Sequence, residues 1–327
     1  MIERSYDIVI IGSGAGGGTV AQALAPMTRD GVRVLVLEKG PRLRDDEFTG
    51  RELDMSGALY EDNGGFLTAD GTMTLAFGRA YGGSTVVYTG TSIIAPERVI
   101  RRWDVPGLEH EDVARRSRRY MDENNVHLQP LEMINDNNRL FVEGCEKAGY
   151  RAEQFPINVK GCLGSSLCNL GCPNGAKQGT NRVQLPAAER QGVEVVTRAD
   201  VLRVEERAVV ARVSEKQPGE KGEPSEWAPG EYRIRAGIVV AAGGSIGSSA
   251  LLLRSGFGRR LPRLGEGFTC HPAHILVGEH PREIATAGFP NSNARQRARG
   301  WGLGTVGHPK SYYMDRAEEE RFILETC

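Results

Sequence analysis

The sequence predicts an α/β protein built around a nucleotide-binding βαβ unit, and three observations at its N-terminal end predict it. A β-branched run, Asp7 to Ile11, leads straight into glycines at 12, 14 and 17 in a G-x-G-x-x-G pattern. Apolar Val20, Ala21 and Leu24 then recur at helical spacing. A second apolar run, Val32 to Leu37, ends on Glu38, about 20 residues beyond the glycines.

Each element has a physical reason. A run such as Ile8-Val9-Ile10-Ile11 suits a strand covered on both faces. Gly12 allows a tight turn, Gly14 lets the backbone approach a pyrophosphate, and Gly17 lets the helix pack on the strand. The first turn of that helix offers unpaired N–H groups to phosphate. Glu38 can accept hydrogen bonds from ribose hydroxyls. By itself the pattern does not separate FAD from NAD.

Bulk properties bound the rest. The 327 residues can bury a large core and suit two domains. Hydrophobic residues make up 39% and charged residues 25%, as in a soluble globular protein. A formal net charge of −1 gives no electrostatic case for nucleic acid or an anionic membrane. No apolar run approaches the roughly 20 residues of a membrane span. The chain enters its first strand directly, so a cytoplasmic location is expected, or membrane association or export through a partner subunit. Six cysteines in so long a chain point to metal or redox chemistry before disulfide staples.

Two further glycine-rich segments extend the pattern. Residues 78–96 read GRAYGGSTVVYTGTSIIAP, and residues 239–258 read VVAAGGSIGSSALLLRSGFG. With the N-terminal unit, in this order, they resemble the glucose-methanol-choline (GMC) family of flavin oxidoreductases. LGEGFTCHPAHILVGE, at 264–279, resembles that family's short stretch ending in His-Pro. The resemblance covers nearly the whole chain. It implies a Rossmann-like, discontinuous FAD-binding domain followed by the start of an α+β substrate-binding domain, with FAD as cofactor. It places Gly78, Gly82, Gly83 and Ser84 along the flavin and its diphosphate, and Gly243 in the third cofactor segment. Val201 matches the position whose backbone meets adenine, with an ordinary core valine as the alternative. Tyr88 stands where many members carry asparagine, a departure on the flavin side.

The expected organisation is an FAD-binding domain from 1–98 and 192–262, a helical insertion with a cysteine-rich loop at 99–191, and the start of a substrate-binding domain at 263–327. The alternating GVEVVTRADVLRVEE and the run Tyr232 to Ala241 read as strands. Between them, SEKQPGEKGEPSEWAPGE reads as a hairpin tip or solvent-facing insertion without chemistry. Arg115, Arg116, Arg118 and Arg119 read as the solvated face of a helix.

Cys162, Cys168 and Cys172 are spaced C-x5-C-x3-C, followed by Pro173 and Gly175-Ala176-Lys177. The spacing resembles two related groups. Flavoprotein subunits of some bacterial sugar dehydrogenases hold a [3Fe–4S] cluster on such cysteines. Long-chain alcohol oxidases have a similar segment without an assigned cluster. Both readings stay open, beside three buried thiols or a disulfide. Zinc is disfavoured because only three cysteines are local and no histidine is near. Cys145, on a helical stretch with Leu140 and Phe141, reads as core; Cys270 and Cys327 have no motif.

The implied activity is hydride transfer from an alcohol CH–OH to flavin, by a dehydrogenase or an oxidase. The acceptor would be oxygen, a quinone or a cytochrome subunit. Rival readings are an iron–sulfur sugar dehydrogenase subunit and a non-catalytic FAD-binding fragment. The resemblance places the catalytic base, a histidine with a His or Asn partner, and a last flavin-binding segment beyond Cys327. That makes the chain an expected fragment of a longer enzyme. His271 and His274, in T-C-H-P-A-H, are the alternative base candidates. His110, His127, His280 and His308 read as surface or structural.

Overall fold

The computed structural model describes residues 1–149, 152–269, 281–282, 312–314 and 323–324. The chain divides into two compact units, one of residues 1–87 with 179–281 and one of 88–178 with 282–327. The expected boundaries at 98 and 191 thus shift to Val87/Tyr88 and Gln178/Gly179. The helix Gln184–Glu189 explains the second shift, because its Leu185 and Ala188 belong to a core of the first unit.

The first unit is a six-stranded mixed sheet. Its strands are β1 (Ile2–Ile11), β2 (Val34–Leu37), β3 (Glu194–Val196), β4 (Ala199–Glu205), β5 (Ala208–Val213) and β6 (Gly230–Ala241). The order across the sheet is β3-β2-β1-β6-β5-β4. β1 pairs in parallel with both β2 and β6, while β5 is antiparallel to β6 and β4. The stretch Tyr232 to Ala241 is therefore one continuous strand beside β1.

Side-chain alternation explains why β1 and β2 lie centrally. Val9, Ile11, Leu35 and Leu37 face one core, and Ile8, Ile10, Val34 and Val36 face the other. The second core is closed by α1 (Ala15–Leu24) and α2 (Gln184–Glu189), with Ala21, Leu185 and Ala188 fully covered. A further helix, α3 (Gly244–Arg254), follows β6.

The polar stretch joins the antiparallel neighbours β5 and β6 as a hairpin tip and is largely exposed, as expected, but it is tethered. Arg198, only 8% exposed, donates to Glu220 Oε2 (2.7 Å) and to the carbonyls of Lys221 (2.8 Å) and Glu223 (2.9 Å). Gly222 N–H donates to Glu47, and Glu223 N–H to the Arg42 carbonyl. A guanidinium with several donors draws the loop onto the segment after Glu38, because buried donors need acceptors.

In the second unit, helices span Glu97–Trp103, His110–Glu123 and Asp136–Lys147. Arg115, Arg116, Arg118 and Arg119 are exposed, and Arg116 and Arg119 pair within their helix with Asp112 (2.6 Å) and Glu123 (2.8 Å). Cys145 is buried on its helix, as a core residue would be, and burial pushes its thiol pKa up. Ala152–Gln154, Tyr312–Met314 and Ile323–Leu324 form a three-stranded antiparallel sheet.

Candidate cofactor-binding site

The glycine loop stands at the carboxyl ends of β1 and β6. Gly12 has φ +98°, and a Cβ there would lie 2.5 Å from the Ala242 carbonyl oxygen. At Gly17 a Cβ would lie 1.9 Å from the Gly12 oxygen, so helix α1 sits where only glycine allows. Gly14 differs: it caps α1 with an extended backbone, and its nearest neighbour to an added Cβ is Gly83 Cα at 3.8 Å. The N-terminal N–H groups of α1 have no side-chain cap and remain available to an anion.

The second glycine segment folds against the first. Gly83 (φ +53°) would put a Cβ 2.7 Å from Gly14 Cα and 3.2 Å from Gly14 N. Gly82 has φ +104°, and Gly78 would meet the Gly83 oxygen at 2.6 Å. Ser84 Oγ accepts from Gly78 N–H at 2.9 Å and closes this turn on itself.

Ser13 ties the pieces together, and sequence reasoning missed it. Its hydroxyl donates to Glu38 Oε2 (2.6 Å) and accepts from Gly82 N–H (2.9 Å), while its own N–H donates to Glu38 Oε2 (3.0 Å). Glu38 Oε1 accepts from Gly40 N–H at 2.8 Å. Burial raises the Glu38 pKa above its ordinary value, against the opposing pull of these hydrogen bonds. A carboxylate has about four acceptor positions, so Oε1 keeps capacity for a hydroxyl donor.

Thr180 is the second missed residue. Its hydroxyl reaches the carbonyl oxygens of Ser13 (3.1 Å) and Gly82 (3.2 Å), and its N–H donates to Thr85 Oγ1 (3.0 Å). Gly40 is the third: a Cβ there would lie 2.2 Å from the Arg79 oxygen. The one available signal was small and hydroxyl residues beside glycine, in G-S-G and G-T.

The structure thus gathers Gly12, Gly14, Gly17, Glu38, Gly78, Gly82, Gly83 and Ser84 at one locus of the first unit. Val201 is 5% exposed on β4 and its side chain belongs to the hydrophobic core. Gly243 is exposed at the start of α3, and an added Cβ would meet nothing nearer than 3.7 Å. The arrangement fits a dinucleotide: uncapped N–H groups, clearance at Gly14, and a buried acid at the end of β2.

The cysteine loop lies in the second unit. Cys168 and Cys172 are buried and Cys162 half-buried, and no disulfide joins them. Cys162 Sγ accepts from Gly164 N–H and Cys172 Sγ from Lys177 N–H, each at 3.4 Å. Lys177 is 4% exposed, and its ammonium donates to the carbonyls of Cys168 (2.5 Å) and Tyr88 (2.6 Å). Burial lowers the Lys177 pKa to about 8 and raises that of Cys168 to about 12. Tyr88 is half-buried, its pKa raised to about 12 by burial, and its ring centre lies 5.5 Å from the Lys177 ammonium. Among the described residues, no three His, Cys, Asp or Glu side chains group as a metal-ion site.

Of the histidines, His127 is held by the Asn125 carbonyl (2.8 Å) and Gln129 (2.9 Å), a local structural role. His271, His274, His280, His308, Cys270 and Cys327 lie outside the described residues. A cleft lined by Ile100, Asp104, Pro106, Leu108 and His110 gathers none of the expected cofactor residues.

Known proteins match this arrangement. The family profile described as GMC oxidoreductase matches residues 56–273, and that of an NAD(P)-binding Rossmann-like domain matches 10–64. An uncharacterised GMC-type oxidoreductase of Mycobacterium tuberculosis is 37% identical, over 83% of this chain and 42% of its own length. A long-chain-alcohol oxidase of Arabidopsis thaliana is 30% identical, over 85% of this chain and 37% of its own. The chain therefore spans about two fifths of the length of these curated relatives. A solved structure of Aspergillus oryzae formate oxidase, studied for modification of its FAD, superposes with a TM-score of 0.52. It covers 81% of this chain and 50% of that one at 14% identity, a likeness of fold.

Proposed function

This chain belongs to the GMC oxidoreductase family, and from that premise we propose that it is the FAD-binding part of an enzyme that oxidises CH–OH groups. The observation that carries the reading is the backbone approach of Gly83 to Gly14. It joins the phosphate loop to the segment that the family places along the flavin.

The first-turn N–H groups of α1 would bind the pyrophosphate and Gly14 would give it clearance. Glu38 would accept from the ribose hydroxyls, held in place by Ser13 and Gly40. Gly78, Gly82, Gly83 and Ser84 would line the flavin, and Gly243 would sit in the third cofactor segment. At Val201 the backbone would meet adenine while the side chain stays in the core. FAD bound there would accept the substrate hydride at its flavin ring.

The substrate is proposed to be a small-molecule alcohol, and the similarity to a long-chain-alcohol oxidase favours an aliphatic one. Molecular oxygen is the proposed acceptor; a quinone or cytochrome subunit is the rival acceptor. Among the described residues no helix is long and apolar enough to cross a membrane. The [3Fe–4S] reading rests on cysteine spacing, and the loop's geometry supports a different organisation, argued below.

The test is cofactor binding by the purified chain. FAD should remain bound through gel filtration near one per chain, with a flavin absorbance band. Retention of NAD with no affinity for FAD would overturn the reading.

A further inference from the structure

We propose that the buried ammonium of Lys177, rather than a metal cluster, organises the loop that carries Cys162, Cys168 and Cys172. The argument starts from where the loop's polar groups point. Two carbonyl oxygens, of Cys168 and Tyr88, converge on Lys177 Nζ at 2.5 and 2.6 Å. The face of the Tyr88 ring lies beside the same charge, its centre 5.5 Å away. Carbonyl oxygens and an aromatic face suit an ammonium ion; iron–sulfur clusters are held by thiolates.

The sulfur atoms fit the same account. Cys172 Sγ accepts from the backbone N–H of Lys177 itself, so this thiol and the ammonium are fixed by one residue. Cys172 takes a left-handed backbone (φ +59°), which turns the chain so that Gly175 N–H reaches the Cys172 carbonyl at 2.8 Å. Lys160 N–H bonds the Ala176 carbonyl at 2.8 Å, and Val159 bridges to Lys177. The stretch before Lys177 is thereby pinned from both sides, and the side chain enters the loop from a fixed base.

Burial makes the lysine consequential. At 4% exposure its charge has little water, so the carbonyls stand in for solvent. Removing the charge would take the lysine donor from the Tyr88 carbonyl and leave the Cys168 carbonyl with the longer bond from Gly171 N–H at 3.3 Å, and the loop around Cys168 would open. Keeping the charge leaves Cys168 and Cys172 as covered thiols.

The test uses the whole 327-residue chain and two readouts. In the first, protein purified anaerobically is assayed for iron and acid-labile sulfide, before and after incubation with ferrous iron and sulfide. Iron removed by desalting in both cases is expected. Close to three irons per chain, with a low-temperature EPR signal that Cys168→Ser abolishes, would overturn the proposal. In the second, thiol labelling by an alkylating reagent is followed by mass spectrometry in Lys177→Met and in wild type. Cys168 and Cys172 should label about tenfold faster in the variant, the effect on local opening of losing a strong buried hydrogen bond. Wild-type labelling rates in Lys177→Met would refute the role. The iron assay needs no variant, so it decides the matter even if Lys177→Met fails to fold. FAD retention, measured on the same wild-type sample, is scored separately.

Discussion

Replacing Gly83 with alanine tests whether the two glycine segments must touch. At φ +53° an L-residue pays a left-handed backbone cost of roughly 1–2 kcal/mol. The added methyl would sit 2.7 Å from Gly14 Cα and 3.2 Å from Gly14 N, both backbone atoms that cannot rotate away. Forcing a methyl into a filled contact adds roughly 1–3 kcal/mol. The sum, roughly 2–5 kcal/mol, falls on the geometry of the phosphate loop. If all of it appears in cofactor affinity, the Kd for FAD rises about 30-fold to several-thousand-fold. Gly144→Ala is the control, because Gly144 is exposed on the helix Asp136–Lys147 of the second unit and a Cβ there meets nothing within 4 Å. Both variants are titrated with FAD by flavin fluorescence, with far-UV circular dichroism to verify folding. Gly83→Ala binding within threefold of wild type, or Gly144→Ala losing as much as Gly83→Ala, would refute the close-approach argument.

Other positions give independent tests. Glu38 has a folded pKa raised above its ordinary 4.5, so its stabilising contribution is full below that value and lost as pH rises through the folded pKa. The cofactor-free chain should show a Tm that falls over that window, and Glu38→Gln should flatten the profile in a thermal scan across pH. Thr180→Val keeps the shape but removes the donor to the Ser13 and Gly82 carbonyls; a loss of roughly 1–2 kcal/mol should weaken FAD binding about tenfold, read by the same titration. Arg198→Met strips the polar loop of its donors; a cost of roughly 2–3 kcal/mol should lower Tm by about 4–12 °C in calorimetry. Gly14→Ala should leave Tm unchanged but release FAD, whereas Gly17→Ala, 1.9 Å from the Gly12 oxygen, should lower Tm steeply.

The βαβ unit was legible in the sequence because its signals are local. Strand, glycines, helix and acid follow one another between Asp7 and Glu38, and each speaks through periodicity or a fixed spacing. The contacts that assemble the site are not local. Ser13 reaches Gly82 across 69 positions and Thr180 reaches Ser13 across 167, so neither pairing leaves a trace in a window of residues. The tethering of the polar loop left no trace for a related reason. Its composition signals solvent, yet it is held by backbone carbonyls that any sequence would supply to Arg198. Lys177 is a further instance: lysine is among the residues least often buried, and the carbonyls of Cys168 and Tyr88 that receive its ammonium lie 9 and 89 positions away.

The glycines of the site divide by what surrounds them, and the division bears on how the loop works. Gly12, Gly17, Gly78 and Gly83 are excluded from carrying a side chain by the protein's own backbone, at 1.9 to 2.7 Å. They serve the fold whether or not a ligand is present. Gly14 has room for a methyl, its nearest neighbour 3.8 Å away, and an extended backbone that any residue can adopt. Among the described residues nothing excludes a side chain there, and in the proposed reading the bound pyrophosphate would. An N-terminal helix turn with no side-chain cap beside that clearance is suited to an anion brought against the backbone. The steric count that explains Gly17 by the fold thus leaves Gly14, three residues earlier in the same motif, to the proposed cofactor, and Gly14→Ala separates the two roles.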